Sequence, residues 1–288
     1  MDAKELHALL SLTLIFPTAS PLLIELLDHC EDISGLYEDI RKNRSGKLYG
    51  TLKEYARQFD PQLAEDIISY CAANGIHIVT IYDDIYPELL RSISCPPVIL
   101  YCKGDITALS QKYYGAIVGA RKADDYSVRT ARQFSEDFVR SGVVVVSGCA
   151  YGVDSAAHTA ALEAGGRTIA VLGCGIDYDY PKGKMPMKNE ICKKGLLISE
   201  YPPLHHSGPD NFTVRNRIIS GLSHCVLVVQ ADKKSGSLNT ASHAIDQGRD
   251  VYVIPPANIL SDKYAGQVEL LRDGAQMVFT AEDISILV

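Results

Sequence analysis

Four positive side chains stand where a chain could grip a phosphate: Arg121 after Gly119-Ala120, Lys182 after Tyr180-Pro181, and Arg215 and Arg217 on either side of Asn216. The planar fork of arginine gives paired hydrogen bonds to phosphate oxygens, and lysine supplies a compact charge. Phe212 lies three residues before Arg215 and offers a ring on which a base could stack. Stacking plus cationic backbone contacts is how proteins hold single nucleic-acid strands without reading sequence. Each cation also has an ordinary reading as a surface charge or internal ion pair. One of Arg215 and Arg217 is expected to tie its helix to the rest of the protein through a carboxylate.

Small residues accompany these cations. Ser147-Gly148-Cys149-Ala150-Tyr151-Gly152-Val153-Asp154 reads as a tight strand-to-helix turn, with Ser147, Gly148 and Gly152 shaping it and Asp154 as the expected helix N-cap. His158, one turn into that helix, reads as a packing residue rather than a catalyst. Ser235-Gly236-Ser237 is a hydroxyl-rich helix start, suited to an anion or to simple capping. Gly173-Cys174-Gly175 invites a dinucleotide-binding reading. It fails, because Tyr178 stands where a third glycine is required and Pro181 soon follows.

These residues need a scaffold that delivers its loops to one edge. From about Ile76, short apolar β-branched runs alternate with amphipathic stretches. Expected strands are 76–81, 98–101, 116–118, 143–147, 168–172, 196–199, 226–229, 251–254 and 276–278. Expected helices are 127–141, 154–164, 239–247 and 266–273. Such alternation predicts an α/β, doubly wound, mostly parallel sheet whose ligand sits beyond the carboxyl ends of the strands. The first 72 residues are leucine-rich and helical in pattern, with a polar loop at 43–50 and a helix over 52–71, predicting a small N-terminal helical domain (1–72) before an extended Rossmann-like domain (73–288).

Composition narrows the function further. The 288 residues are 47% hydrophobic and carry a net charge of −7, which excludes a basic sheath that coats nucleic acid by charge alone. A local cationic pocket remains compatible. No apolar run is long enough for a membrane helix and no signal peptide is evident, so a cytoplasmic protein without membrane contact is expected. Of the eight cysteines no two are within three residues, so no zinc ribbon or redox pair is expected, and most read as small buried residues. No metal or cofactor is expected.

The order of these motifs resembles the DNA-processing protein A family (DprA, also called Smf). The resemblance runs over roughly residues 80–280. It is carried by Tyr86-Pro87-Glu88-Leu89-Leu90, Gly119-Ala120-Arg121, Ser147-Gly148 through Asp154 with Ala156-Ala157-His158, and Tyr180-Pro181-Lys182. Ser199-Glu200-Tyr201-Pro202-Pro203, Arg215 through Leu222, Ser235 through Leu238, and Gly274-Ala275 continue it. The resemblance implies a non-enzymatic single-stranded DNA-binding protein of natural transformation that dimerises, protects incoming strands and helps load a RecA-type recombinase. It implies phosphate contacts at Arg121 and Lys182, in a pocket shaped or lined by Gly119, Ser147, Gly148, Gly152, Arg215, Asn216 and Arg217. The sequence departs from the family pattern at Ala120 (usually Ser), Thr213 (usually Pro) and Lys184 (usually Asn). The chain stops at Val288 with no C-terminal winged helix expected. The rival reading is a nucleotide-binding or phosphoribohydrolase-like enzyme on a related fold. Against it, His243 occupies the position where those enzymes carry their catalytic glutamate.

Overall fold

The computed structural model describes residues 1–42, 55, 57–58 and 60–287. Three helices, α1 (Ala3–Ile15), α2 (Pro21–Asp28) and α3 (Ile33–Lys42), come first, followed after the polar stretch by α4 (Pro61–Ala73). The loop expected over 43–50, and residues 52–54, 56 and 59 of the helix expected over 52–71, lie outside the described residues. The start of α4 is set by Asp60, whose carboxylate accepts from the amides of Gln62 and Leu63, and by Pro61 in the first turn.

The remainder builds one nine-stranded sheet. Its strands are β1 (His77–Thr80), β2 (Ile99–Gly104), β3 (Tyr114–Gly119), β4 (Val144–Ser147), β5 (Thr168–Leu172), β6 (Leu196–Ser199), β7 (Cys225–Gln230), β8 (Asp250–Val253) and β9 (Gln276–Met277). Their order across the sheet is β1-β2-β6-β5-β4-β3-β7-β8-β9. β1 pairs antiparallel with β2, and β2 antiparallel with β6; every other pairing is parallel. This is the extended Rossmann-like, mostly parallel sheet that the motif order predicted. Helices α5 (Glu88–Arg91), α6 (Asp125–Arg140), α7 (Val153–Glu163), α8 (Met185–Lys194), α9 (Asn211–Gly221), α10 (Gly236–Asp246) and α11 (Ala265–Arg272) complete the chain.

The apolar runs bury both faces of the sheet, and strand alternation sorts them. Val144, Val146, Ile169, Val171, Val226 and Val228 point to the face covered by α5, α9 and α10. Val145, Leu227 and Val229 point to the opposite face, under α6 and α7. Further along that face, Ala170, Leu172 and Leu197 meet α8 and the N-terminal helices, whose Leu9, Leu12, Leu23 and Ile67 belong to the same apolar cluster. Five of the eight cysteines (71, 102, 149, 174 and 225) are buried, and Cys30, Cys95 and Cys192 are partly so.

Three helices lie outside the expected spans; one of them, α9, carries Arg215 and Arg217, which the sequence placed on a helix without bounds. α5 has only one turn. α8 was hidden by Pro181 and Pro186, yet Pro186 sits in its first turn, where its missing N–H leaves nothing unsatisfied. The expected N-cap of α7 also differs. Gly152 occupies that position at φ +74°, and Asp154 is already the second helical residue.

His158 packs in α7 as a buried residue. Its Nδ1 lies 2.7 Å from Thr168 Oγ1, whose own hydroxyl donates to the Val145 carbonyl, so Nδ1 carries the proton. Burial, helped by the Lys184 and Arg215 charges, pushes its pKa down to about 3. Protonation therefore favours the unfolded chain. The stability held above pH 6.5 is lost as pH falls toward 3, at ~1.4 kcal/mol per pH unit. Denaturant titrations between pH 7 and 4.5 should show His158→Asn losing about 2–3 kcal/mol less than the wild type. Parallel pH profiles for the two proteins would contradict this assignment.

Candidate nucleic-acid interface

The strand order reverses direction at β3. β4, β5 and β6 extend to one side of it, and β7, β8 and β9 to the other. Adjacent loops at such a reversal must leave in opposite directions, which opens a crevice beyond the strand ends. A cleft of about 820 Å³ lies there, walled by the segments following β3, β4 and β7 and by the start of α9.

The cleft is cationic although the protein is acidic. Arg121, Lys122, Arg215, Lys234 and Lys263 line it against two carboxylates, Asp154 and Asp232. That is an excess of three positive charges in a chain of net charge −7. No ion pair of the described residues takes Arg121, Lys122, Lys234 or Lys263. All four are exposed. The Arg121 guanidinium lies over the Phe212 ring, 5.5 Å from its centroid. Tyr180 sits 5.0 Å from the other aromatic, tilted by 32°, so two rings form one wall.

The floor is held from within. Arg215 is only 5% exposed. Its Nη1 donates to the carbonyl of Gly148 at 2.9 Å and to that of Val171, and its Nε donates to Asn216 Oδ1 at 3.2 Å. Asp154 accepts from the amide of Ala150 at 3.2 Å. Burial works against both charges: it raises the Asp154 pKa and lowers that of Arg215, and each opposes the other's shift through its own charge. Gly148 is required by this contact, because a Cβ there would lie 2.8 Å from Arg215 Nη2 and 2.9 Å from Asp154 Oδ2. Gly152 is required twice over, by its positive φ and by a Cβ position 2.2 Å from the Ala120 carbonyl.

The twelve residues singled out by sequence thus separate. Gly119, Arg121, Phe212, Arg215, Asn216, Ser235 and Ser237 all line the cleft. Asn216 spends its amide on Gly236 O and Asn239 Oδ1, both at 3.1 Å, joining α9 to α10. Ser235 caps α10 by accepting from the Ser237 amide. Gly148 and Gly152 shape the turn beside the cleft. Ser147 is fully buried, and its hydroxyl donates to the Ile117 carbonyl at 2.7 Å, so it braces β4 against β3. Lys182 is exposed on a neighbouring loop, with its carbonyl accepting from Tyr151 Oη at 2.6 Å, and does not line the cleft. Arg217 points away from the cleft into an ion pair with Glu200 at 2.7 Å, with Nε on the Cys95 carbonyl. It is the arginine of the pair that takes a carboxylate. Lys184, at the family's asparagine position, donates to Ser155 Oγ at 2.6 Å and lies over the Tyr151 ring.

Sequence reasoning missed Lys122, Lys234 and Lys263, which sit in three separate loops with no shared motif. It also missed Lys188, which is 1% exposed. Its Nζ donates to the carbonyls of Ile176 and Tyr178 at 3.2 and 2.8 Å, pinning the loop that leads to Tyr180.

The DNA recombination-mediator protein A family matches residues 77–288. The chain belongs to this family. Among its members, the DNA processing protein DprA of Bacillus subtilis (strain 168) is 40% identical over 234 residues, covering 81% of this chain and 78% of that one. The crystal structure of DNA processing protein A from Streptococcus pneumoniae superposes with a TM-score of 0.83 at 32% identity, covering 98% of this chain and 96% of that one. DNA processing protein A from Helicobacter pylori, whose structure concerns its single-stranded DNA binding mode, superposes with a TM-score of 0.65 at 33% identity. That match covers 73% of this chain and 94% of the other. The family match begins at β1, whereas the pneumococcal match takes in nearly the whole chain, N-terminal helices included.

Two substitutions separate positioning from contact. Arg217→Ala leaves the largely buried Glu200 without its partner and should cost about 3 kcal/mol in chemical denaturation, while nucleic-acid binding at a folded temperature stays near wild type. Lys188→Met frees the loop before Tyr180. It should speed amide exchange across Tyr178–Gly183 and weaken binding severalfold without changing its salt dependence. A reduced salt dependence would mean that Lys188 itself reaches phosphate.

Proposed function

We propose that this chain binds single-stranded DNA in the cleft at the β3/β7 reversal, protects it, and passes it to a RecA-type recombinase during DNA uptake. The observation that carries the reading is the pairing of unpartnered cations with an aromatic wall: Arg121 over Phe212, Tyr180 beside it, and Lys122, Lys234 and Lys263 around the rim. Cations answer the backbone and rings answer the bases. A duplex hides its base faces, so this combination favours a single strand. Arg121 is the foremost phosphate ligand. Lys182, one loop away, is a second contact along the path of a longer strand. Gly119, Ser235 and Ser237 offer backbone and hydroxyl groups, and Ser147, Gly148, Gly152, Arg215, Asn216 and Arg217 act by holding the walls.

The recombinase partner and a cytoplasmic setting rest on family membership. A homodimer is consistent with the edge strand β9 and the exposed Ile245, Met277 and Phe279 around it. Among the described residues no helix is long and apolar enough to cross a membrane. The role is non-enzymatic in this reading. His243 stands where the phosphoribohydrolase-like rival needs a glutamate, and the buried cleft carboxylate, Asp154, is committed to Arg215 and the Ala150 amide.

Fluorescence anisotropy with an unstructured oligonucleotide tests the proposal. Wild type should prefer single over double strands, with affinity falling as salt rises. Arg121→Ala should lose about tenfold in affinity, and the slope of log K against log salt should become shallower by ~0.7 for the one phosphate contact removed. Binding that is indifferent to Arg121, or absent at low salt, would sink the cleft as the DNA site.

A further inference from the structure

The loop from β8 to α11 carries two adjacent apolar side chains that nothing covers: Ile259, 71% exposed, and Leu260, 88% exposed. Single exposed apolar residues are common and need no account. This pair is held in place. At the tip, Leu260 N donates to Asn258 Oδ1 at 2.9 Å and Ser261 N to Asn258 O at 3.1 Å, closing a tight turn. At the root, Tyr264 Oη donates to Asp124 Oδ2 at 2.5 Å. The fully buried Gln267 accepts from the Ala231 amide and donates to the carbonyls of Val229 and Ile254. Asp124 follows β3 and Ala231 follows β7, so the loop is fixed to the two segments that border the cleft. Lys263, three residues after Leu260, lines the cleft itself.

The placement gives a path. On the β4/β5 side of the cleft stand Tyr180, Phe212 and the 45%-exposed Tyr151. On the β7/β8 side stand Lys234, Lys263 and the apolar tip. From β5 to β8 the sheet edge spans four strand spacings, about 19 Å. That is room for several nucleotides at the ~3.4 Å rise of a stacked strand.

We infer that Ile259 and Leu260 form a base-contact subsite for a single DNA strand leaving the cleft over β8. Lys234 and Lys263 take its phosphates there, and unstacked bases lie against the two side chains. Every base has an apolar face, so the contact is sequence-tolerant. A duplex keeps those faces inside its stack and gains nothing from it. The subsite rests on the proposed DNA-binding reading of the cleft.

The test is the double variant Ile259→Ser/Leu260→Ser, which alters only exposed side chains. Its anisotropy is measured with oligothymidines of about six and about thirty nucleotides, beside Arg121→Ala and with masses by light scattering. The expected result is about a tenfold loss for the longer strand, little change for the shorter, an unchanged salt slope and an unchanged mass. Leu260→Trp should bind the longer strand at least as tightly as wild type. Wild-type affinity of the double variant, with Arg121→Ala losing binding, overturns the subsite alone. Indifference of both variants overturns the cleft reading and the subsite with it. A drop in mass accompanying the loss overturns the subsite in favour of contact between two copies of this chain.

Discussion

A single buried guanidinium governs the shape of the cleft. Arg215 reaches from α9 across the ends of β4 and β5 and takes the carbonyls of Gly148 and Val171, two groups that parallel pairing leaves open at strand ends. Burying this charge is costly, and the arrangement answers the cost with Asp154 from the first turn of α7 and with the main-chain acceptors. The consequences spread outward. Gly148 has to lack a side chain because Arg215 fills the space above it. Phe212, three residues back on α9, is held with one face 5.9 Å from the Arg215 guanidinium. Its orientation then decides where Arg121, 5.5 Å from the same ring, can rest. A buried arginine thereby positions the exposed one that is proposed to meet phosphate.

The legibility of the protein from its sequence follows the same division. The central strands β3 to β8 were visible because parallel strands buried on both faces are apolar throughout, and the expected helices because one stripe of each packs on the sheet. The residues singled out fall mostly around one edge of the sheet, since loops after parallel strands converge there whatever their contents. Individual roles were not legible. Arg215 and Arg217 are two residues apart on one helix and identical in type. Their opposite fates, floor of the cleft and anchor to Glu200, depend on which side of α9 faces β5, a tertiary fact. Ser147 offered a hydroxyl beside glycine, and only the register of β4 against β3 reveals that it points at Ile117. Lys234 and Lys263 belong to loops 29 residues apart that topology, not spacing, brings together. Lys188 carried no signal, because its helix was itself not expected and a lysine reads as solvent-facing by default.

The contrast between an acidic chain and a cationic cleft shapes how a strand is held. With a net charge of −7, the distant field opposes an approaching polyanion, while the cleft attracts it at contact range. The Debye length at physiological salt is ~8 Å, so the distant repulsive surface is largely screened at the cleft, whose own cations act at contact range. Raising salt weakens the attraction and the residual repulsion together. A salt slope measured on such a protein would understate the number of phosphates engaged, with stacking, which salt leaves nearly untouched, supplying the remaining affinity. In the proposed reading such a cleft discriminates against the many weak electrostatic encounters a basic surface would collect and favours ligands that present phosphate and an exposed base face together. In the proposed reading the aromatic wall of Tyr180 and Phe212 supplies selectivity, and Arg121 supplies affinity.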